Sequence, residues 1–200
     1  MTPIPAARRA GLAWVALALL LAAGALVVDR WGTASAVDWQ PGRIAGEPWR
    51  AWTAAFVHLS PRHLGANLAA TALLAVIGWR LGLPARAALA WCLAWPLTHA
   101  GLWAMPALRH YGGLSGVLHA AVAIVGVSLA WRGPGRWRWA GALLLAGLAA
   151  KVLLETPWRA AVQVSPHWDI PIAPIAHLTG AVAGALCAVV VDAWAGRRDA

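Results

Sequence analysis

Charge is what this sequence has least of: 12% of its 200 residues are Asp, Glu, Lys or Arg, about half the share of a soluble domain. With 61% hydrophobic residues, such a chain belongs in a bilayer. Cysteine is almost absent. Cys92 and Cys187 both fall in apolar segments, where a thiol behaves as a small buried hydrophobe, so no disulfide or redox role is expected. There is no cysteine/histidine ligand cluster, which argues against zinc, and no HExxH motif of the metalloproteases. No cofactor is expected. The sequence has no internal repeat, low-complexity tract or linker, and a single domain over 1–200 is expected.

The charge that is present is mostly basic, with a formal net of +9. On a soluble protein that would suggest nucleic acid, but here the arginines stand between apolar runs, a pattern of membrane topology and lipid contact. A hydrocarbon core of about 30 Å takes about 20 apolar residues per helix. The charges delimit six such segments, at about 10–28, 63–80, 87–106, 114–131, 138–155 and 171–193. Lys151 interrupts the fifth near one end, where a long side chain snorkels to the interface. Pro96 and Pro106 are expected to bend or end the third. The run after Arg8 and Arg9 is long for a signal peptide and is expected to remain as the first span.

With the N-terminus inside, Arg8, Arg9, Arg80, Arg86, Arg132, Arg136, Arg138, Arg197 and Arg198 fall on one face. Arg30, Arg43, Arg50, Arg62, Arg109 and Arg159 fall on the other. The excess favours both termini in the cytoplasm. The loop 29–62 carries Trp31, Trp39, Trp49 and Trp52, a density expected of a structure lying in the membrane interface.

Strongly polar side chains inside membrane helices are costly and mark functional sites by default. Three groups qualify. The second segment opens with HLGAN, which puts His63 and Asn67 on one helix face; the fourth opens with GGLSGVLHA, which does the same for Ser115 and His119. The sixth contains AHLTGAVAG, with His177 ahead of Gly180 and Gly184. These three segments run in the same direction. At 1.5 Å per residue, the far end lies about 24 Å from His63, about 24 Å from Ser115 and about 21 Å from His177. All three therefore share one layer below the outer surface.

A serine needs a base within reach and donors for the oxyanion formed on attack. Ser115 can attack, and His177 can take its proton and return it to the leaving amine. Asn67, His63 and the Ser115 backbone N–H can face the oxyanion, the last because a helix start leaves it without an intrahelical partner. Gly112 and Gly113 allow the backbone to approach substrate closely, and Gly113, Leu114 and Ser115 complete the substrate-facing set. Gly180 and Gly184 let the sixth helix pack tightly on the fourth, where Gly116 and Ala120 repeat the spacing.

From Glu47 to about Leu186 the chain resembles the rhomboid intramembrane serine proteases. EPWRAWTAAFVH is similar to that family's E-x-W-R loop, His63 and Asn67 to its HxxxN, and Gly113, Ser115 and Gly116 to its GxSG. Ala176, His177, Gly180 and Gly184 match its AHxxGxxxG. The resemblance implies an all-α, six-helix membrane bundle with an interfacial first loop, in which Glu47, Trp49 and Arg50 hold that loop. It also implies a Ser115–His177 dyad without a third acid. Asp169 lies eight residues before His177 in a loop and does not suggest one.

One departure is informative. His119 stands where many rhomboids have a tyrosine four residues after the nucleophile, and GGLSGVLHA resembles the rhombosortase branch. That branch implies substrates anchored by a C-terminal segment with Gly-Gly, an apolar helix and a basic tail. It also implies a bacterial inner membrane with the site opening to the periplasm. Stacking on His177, tuning it and competing with it as base are all open to His119. Lys151 and Glu155, four residues apart, read as an intrahelical pair or as interface anchors, with a lateral-gate role as the sharper alternative. A catalytically silent rhomboid-like protein that binds client helices is the alternative to the protease, and a small transporter is a third reading. The inner half of the bundle is too apolar to favour the transporter.

Overall fold

Helix ends in this protein are set by a few residues. The Ser60 hydroxyl accepts the His63 N–H at 3.1 Å and Pro61 occupies the first helical turn, where its missing N–H costs nothing. Gly133 closes another helix, its N–H on the Leu129 carbonyl. A computed structural model describes residues 11–196. Among these, six long helices occur: α1 (Leu12–Trp31), α2 (Pro61–Arg80), α3 (Ala85–Ala100), α4 (Ser115–Arg132), α5 (Arg136–Leu154) and α6 (Pro174–Gly196). The described residues form no strand, only isolated bridges between Trp39 and Tyr111 and between Gln163 and Ile172. Helices α1, α4, α5 and α6 are long and apolar enough to cross a membrane.

The third helix stops earlier than expected. It passes through Pro96 unbroken, ends at Ala100 and tightens into a 3₁₀ turn, Gly101–Ala104, so Pro106 lies beyond it. Cys92 is exposed on this helix rather than buried, while Cys187 is buried. The first helix extends to Trp31, past the expected end. Arg8, Arg9, Arg197 and Arg198, which carry part of the expected charge asymmetry, lie outside the described residues, as do the ends of the expected single domain.

Helix α4 is the centre of the bundle, with 56% of its span buried, and α5 is peripheral at 11%. The α4–α6 contact is the tightest. A Cβ on Gly180 would lie 1.9 Å from the Gly116 carbonyl oxygen, and one on Gly184 would lie 2.3 Å from that of Ala120. Neither collision can be relieved by a side-chain rotation, because backbone is on the receiving side. On the other flank, α1 docks through Trp14, which is fully buried, stacks 4.5 Å from Trp91 of α3 and donates its indole N–H to the Leu74 carbonyl of α2 at 2.8 Å.

The segment 32–60 is pinned to this bundle by polar contacts. Trp39 and Tyr111 exchange both backbone hydrogen bonds, at 2.8 and 3.0 Å, and the Trp95 indole donates to the Trp52 carbonyl at 3.0 Å. Trp31, Trp49 and Trp52 are exposed, in keeping with an interfacial loop, but Trp39 is 1% exposed and belongs to the core beneath it.

Replacing Gly180 by alanine is expected to lower stability by about 2 kcal/mol or more through overpacking. Gly147→Ala, where a new Cβ meets nothing within 4 Å, is expected to be neutral or stabilising by up to about 1 kcal/mol. Thermal unfolding of the two variants in detergent checks the contrast.

Candidate active site

Ser115 is the first residue of α4, at the end of a chain segment only glycine can form. Gly113 has φ +145, and a Cβ there would sit 2.9 Å from the His63 imidazole. The segment is held from both sides. The Gly113 N–H donates to the Ala54 carbonyl at 2.9 Å, and the Tyr111 hydroxyl donates to the Gly113 carbonyl at 3.1 Å. Burial pushes the Tyr111 phenol up to about 12, so it remains a donor at physiological pH. Leu114 is fully buried and acts as an anchor. The Gly113 N–H is engaged, while the Ser115 N–H, at the start of the helix, has no intrahelical partner.

His177 lies in the first turn of α6, with Nε2 3.0 Å from Ser115 Oγ. The Gly180 and Gly184 contacts with α4 place it there. His119 stacks on His177 with ring centroids 4.2 Å apart and planes 12° from parallel, and its Nδ1 lies 2.6 Å from the Ser115 carbonyl. A carbonyl only accepts, so His119 Nδ1 carries a proton.

Lys151 and Glu155 form the expected intrahelical pair, and they also reach the serine–histidine pair. They contact each other at 2.9 Å, and Glu155 Oε2 is 2.7 Å from His177 Nδ1. Lys151 Nζ is 2.6 Å from His119 Nε2 and 3.1 Å from His177 Nδ1. Helix α5 thus delivers a cation and an anion to the serine–histidine pair. Asp169 is bound elsewhere, accepting from Ser60 at 2.9 Å.

His63 and Asn67 border the same cavity of about 530 Å³ as Ser115, His119, Lys151 and His177. Asn67 spends one amide N–H on the His63 carbonyl at 3.0 Å and has a second to give. His63 Nδ1 is buried with no partner among the described residues. The His58 ring lies 4.9 Å from that of His63, and burial lowers the His58 pKa, which keeps it neutral at pH 7. His99, fully buried, is bonded through Nδ1 to the Ala51 carbonyl and takes no part in the site.

The E-x-W-R stretch acts at one remove. Arg50 is 1% exposed and donates to the Glu47 carboxylate, to the Asp38 carbonyl at 2.8 Å and to the Asp38 carboxylate at 3.3 Å. It gathers the loop whose Trp39 and Ala54 hold the segment ahead of Ser115. Trp49, expected to share this scaffolding, is 51% exposed and lies on the outer side of the loop, where Glu47 and Arg50 form the polar contacts within it.

A helical bundle with apolar spans and a layer of serine, histidine, asparagine, lysine and glutamate around one cavity defines a multi-pass membrane protein with a built polar site. The family model described as Rhomboid domain matches residues 45–193, most of the chain, and the chain belongs to that family. It therefore falls among the intramembrane proteases and their relatives. No curated protein matches the sequence.

Replacing Arg50 by methionine removes the buried cation of Asp38 and Glu47, leaving them His110 and Arg43 as partners, and is expected to cost about 3 kcal/mol. Arg50→Lys is expected to recover only part of this, since an ammonium cannot reproduce the guanidinium fork. Denaturant unfolding in detergent measures both.

Proposed function

We propose that this chain is an intramembrane serine endopeptidase in which Ser115 is the nucleophile and His177 the general base. The carrying observation is the 3.0 Å contact between Ser115 Oγ and His177 Nε2 at a cavity of about 530 Å³. On attack, the serine proton passes to Nε2, and the oxyanion is received by the Ser115 N–H, the second Asn67 amide N–H and the His63 ring. His177 then returns its proton to the leaving amine, and water resolves the acyl-enzyme. Neutral His119 supports the base as a stacked neighbour.

All six helices cross the membrane in this proposal, within one domain spanning 1–200. Helix α2 has 20 residues, enough to span, and α3 with 16 continues through its 3₁₀ turn. Both termini lie in the cytoplasm of a bacterial inner membrane and the site opens to the periplasm. Supporting this, Arg86 and Arg132 meet Asp192 at 2.6 and 3.3 Å at the end of α6 remote from the site, close to Arg80 in sequence and space. Cationic ends of this kind remain inside.

Substrates are membrane-anchored proteins with a C-terminal segment of the rhombosortase type. Below the polar layer the cavity continues between α2, α4 and α5, lined by Ala66, Ala70, Leu118, Val122, Leu144 and Leu148, which suits an apolar helix entering from lipid. A helical peptide bond is shielded until it unwinds, and Gly-Gly lowers that cost by about 1 kcal/mol per glycine relative to alanine.

Ser115→Ala and His177→Ala are each expected to reduce cleavage of a Gly-Gly-tailed anchored reporter by roughly 10⁴-fold or more while the protein still inserts. Mass spectrometry of the reporter's new C-terminus reads the outcome. Undiminished cleavage by Ser115→Ala would refute the assignment, and an inert wild type that still captures the reporter would favour a client-helix binder.

A further inference from the structure

A histidine can serve as base only from the correct nitrogen. For His177 Nε2 to accept from Ser115, its lone pair must face Oγ, so the neutral ring must carry its hydrogen on Nδ1. Two groups compete for Nδ1. Glu155 Oε2, at 2.7 Å, belongs to a carboxylate that only accepts, whereas Lys151 Nζ, at 3.1 Å, belongs to an ammonium that only donates. These neighbours demand opposite tautomers.

We propose that Glu155 is a positioning residue for His177, holding Nδ1–H against Oε2, and that Lys151 orients the carboxylate by binding its other oxygen. This rests on the reading of Ser115 and His177 as nucleophile and base, and it adds an acid to a site for which the sequence suggested none.

The directions of the hydrogen bonds carry the inference. The Ser115 carbonyl fixes a hydrogen on His119 Nδ1, 2.6 Å away. His119 Nε2 is then an acceptor, and Lys151 donates to it at 2.6 Å. A second N–H of Lys151 goes to Glu155 Oε1 at 2.9 Å. Glu155 Oε2 receives the His177 Nδ1–H, and His177 Nε2 receives the Ser115 hydroxyl at 3.0 Å. The ring of contacts starts and ends on Ser115, and every donor meets an acceptor when His177 carries its hydrogen on Nδ1. Lys151 is thereby occupied by two better partners, which accounts for its longer approach to His177. His119, its Nε2 already taken, cannot compete as base.

During acylation the Oγ–C bond forms, the carbonyl π pair moves onto oxygen and the hydroxyl proton passes to Nε2. Glu155 remains a carboxylate against the imidazolium and takes no proton. When the tetrahedral intermediate collapses, the C–N bond breaks and the amine leaves with the proton from Nε2.

The test uses the full chain in proteoliposomes with a cleavable anchored reporter. In Glu155→Gln the amide oxygen turns to Lys151, the amide NH₂ faces His177 Nδ1, and the hydrogen is forced onto Nε2. The expected result is a fall in kcat of about 100-fold or more with KM changed less than about two-fold. Adding Lys151→Met frees the amide to turn, and the double variant is expected to recover about ten-fold of that loss. Wild-type kcat in Glu155→Gln, or a double variant no faster than the single, overturns the proposal. Nitrogen-15 spectra of histidine-labelled wild type give an answer even where Glu155→Gln does not fold: hydrogen on Nδ1 of His177 supports the proposal and hydrogen on Nε2 overturns it. Cleavage that never depends on Ser115 would instead sink the protease reading, and the spectrum would still report on the Glu155–His177 pair.

Discussion

Everything at the polar layer depends on how closely α6 lies against α4. At Gly180 the space for a Cβ is already filled by the Gly116 carbonyl, and at Gly184 by that of Ala120. Without a hydrophobic driving force between helices in lipid, close backbone packing of this kind is a principal source of association. The contact lies within two turns of both Ser115 and His177, so the precision of the packing is passed directly to the 3.0 Å separation of Ser115 Oγ and His177 Nε2. A wider interhelical gap would leave a hydroxyl and an imidazole in the same cavity with no route for a proton.

The loop 32–60 serves the same end from the opposite side. Its backbone holds Gly113 through Ala54 and Tyr111 through Trp39, while Arg50 binds the loop's own carboxylates. The Ser115 segment is clamped between this loop and a tight helix pair. Such preorganisation is what a site needs when its donors must already point at a charge that has yet to form.

Much of this was legible in the sequence because it is local. HxxxN, GxSG and AHxxGxxxG each encode one helix face, and shared depth follows from counting residues along helices that run the same way. The chain's place in the rhomboid family followed from the order of those same motifs. Glu155 and Lys151 were not legible in that manner. Their spacing is that of an ordinary intrahelical pair, and their meeting with His177 and His119 depends on the lateral placement of α5, which no residue count supplies. Helix α5 also runs against α4 and α6, so depth measured from helix starts passed it by. Trp39 and Tyr111 were hidden for a related reason. A bridge between residues more than seventy positions apart leaves no periodic trace, and a tryptophan beneath an interfacial loop looks in sequence like those lying upon it.

The central claim is that Ser115 is activated by His177 across the α4–α6 contact. Reaction of the folded protein with a fluorophosphonate probe, mapped by mass spectrometry, addresses it most directly. The account predicts a single adduct on Ser115 whose rate of formation collapses in His177→Ala. An adduct that forms equally fast without the imidazole, or a wild type that stays unlabelled while folded, would contradict it.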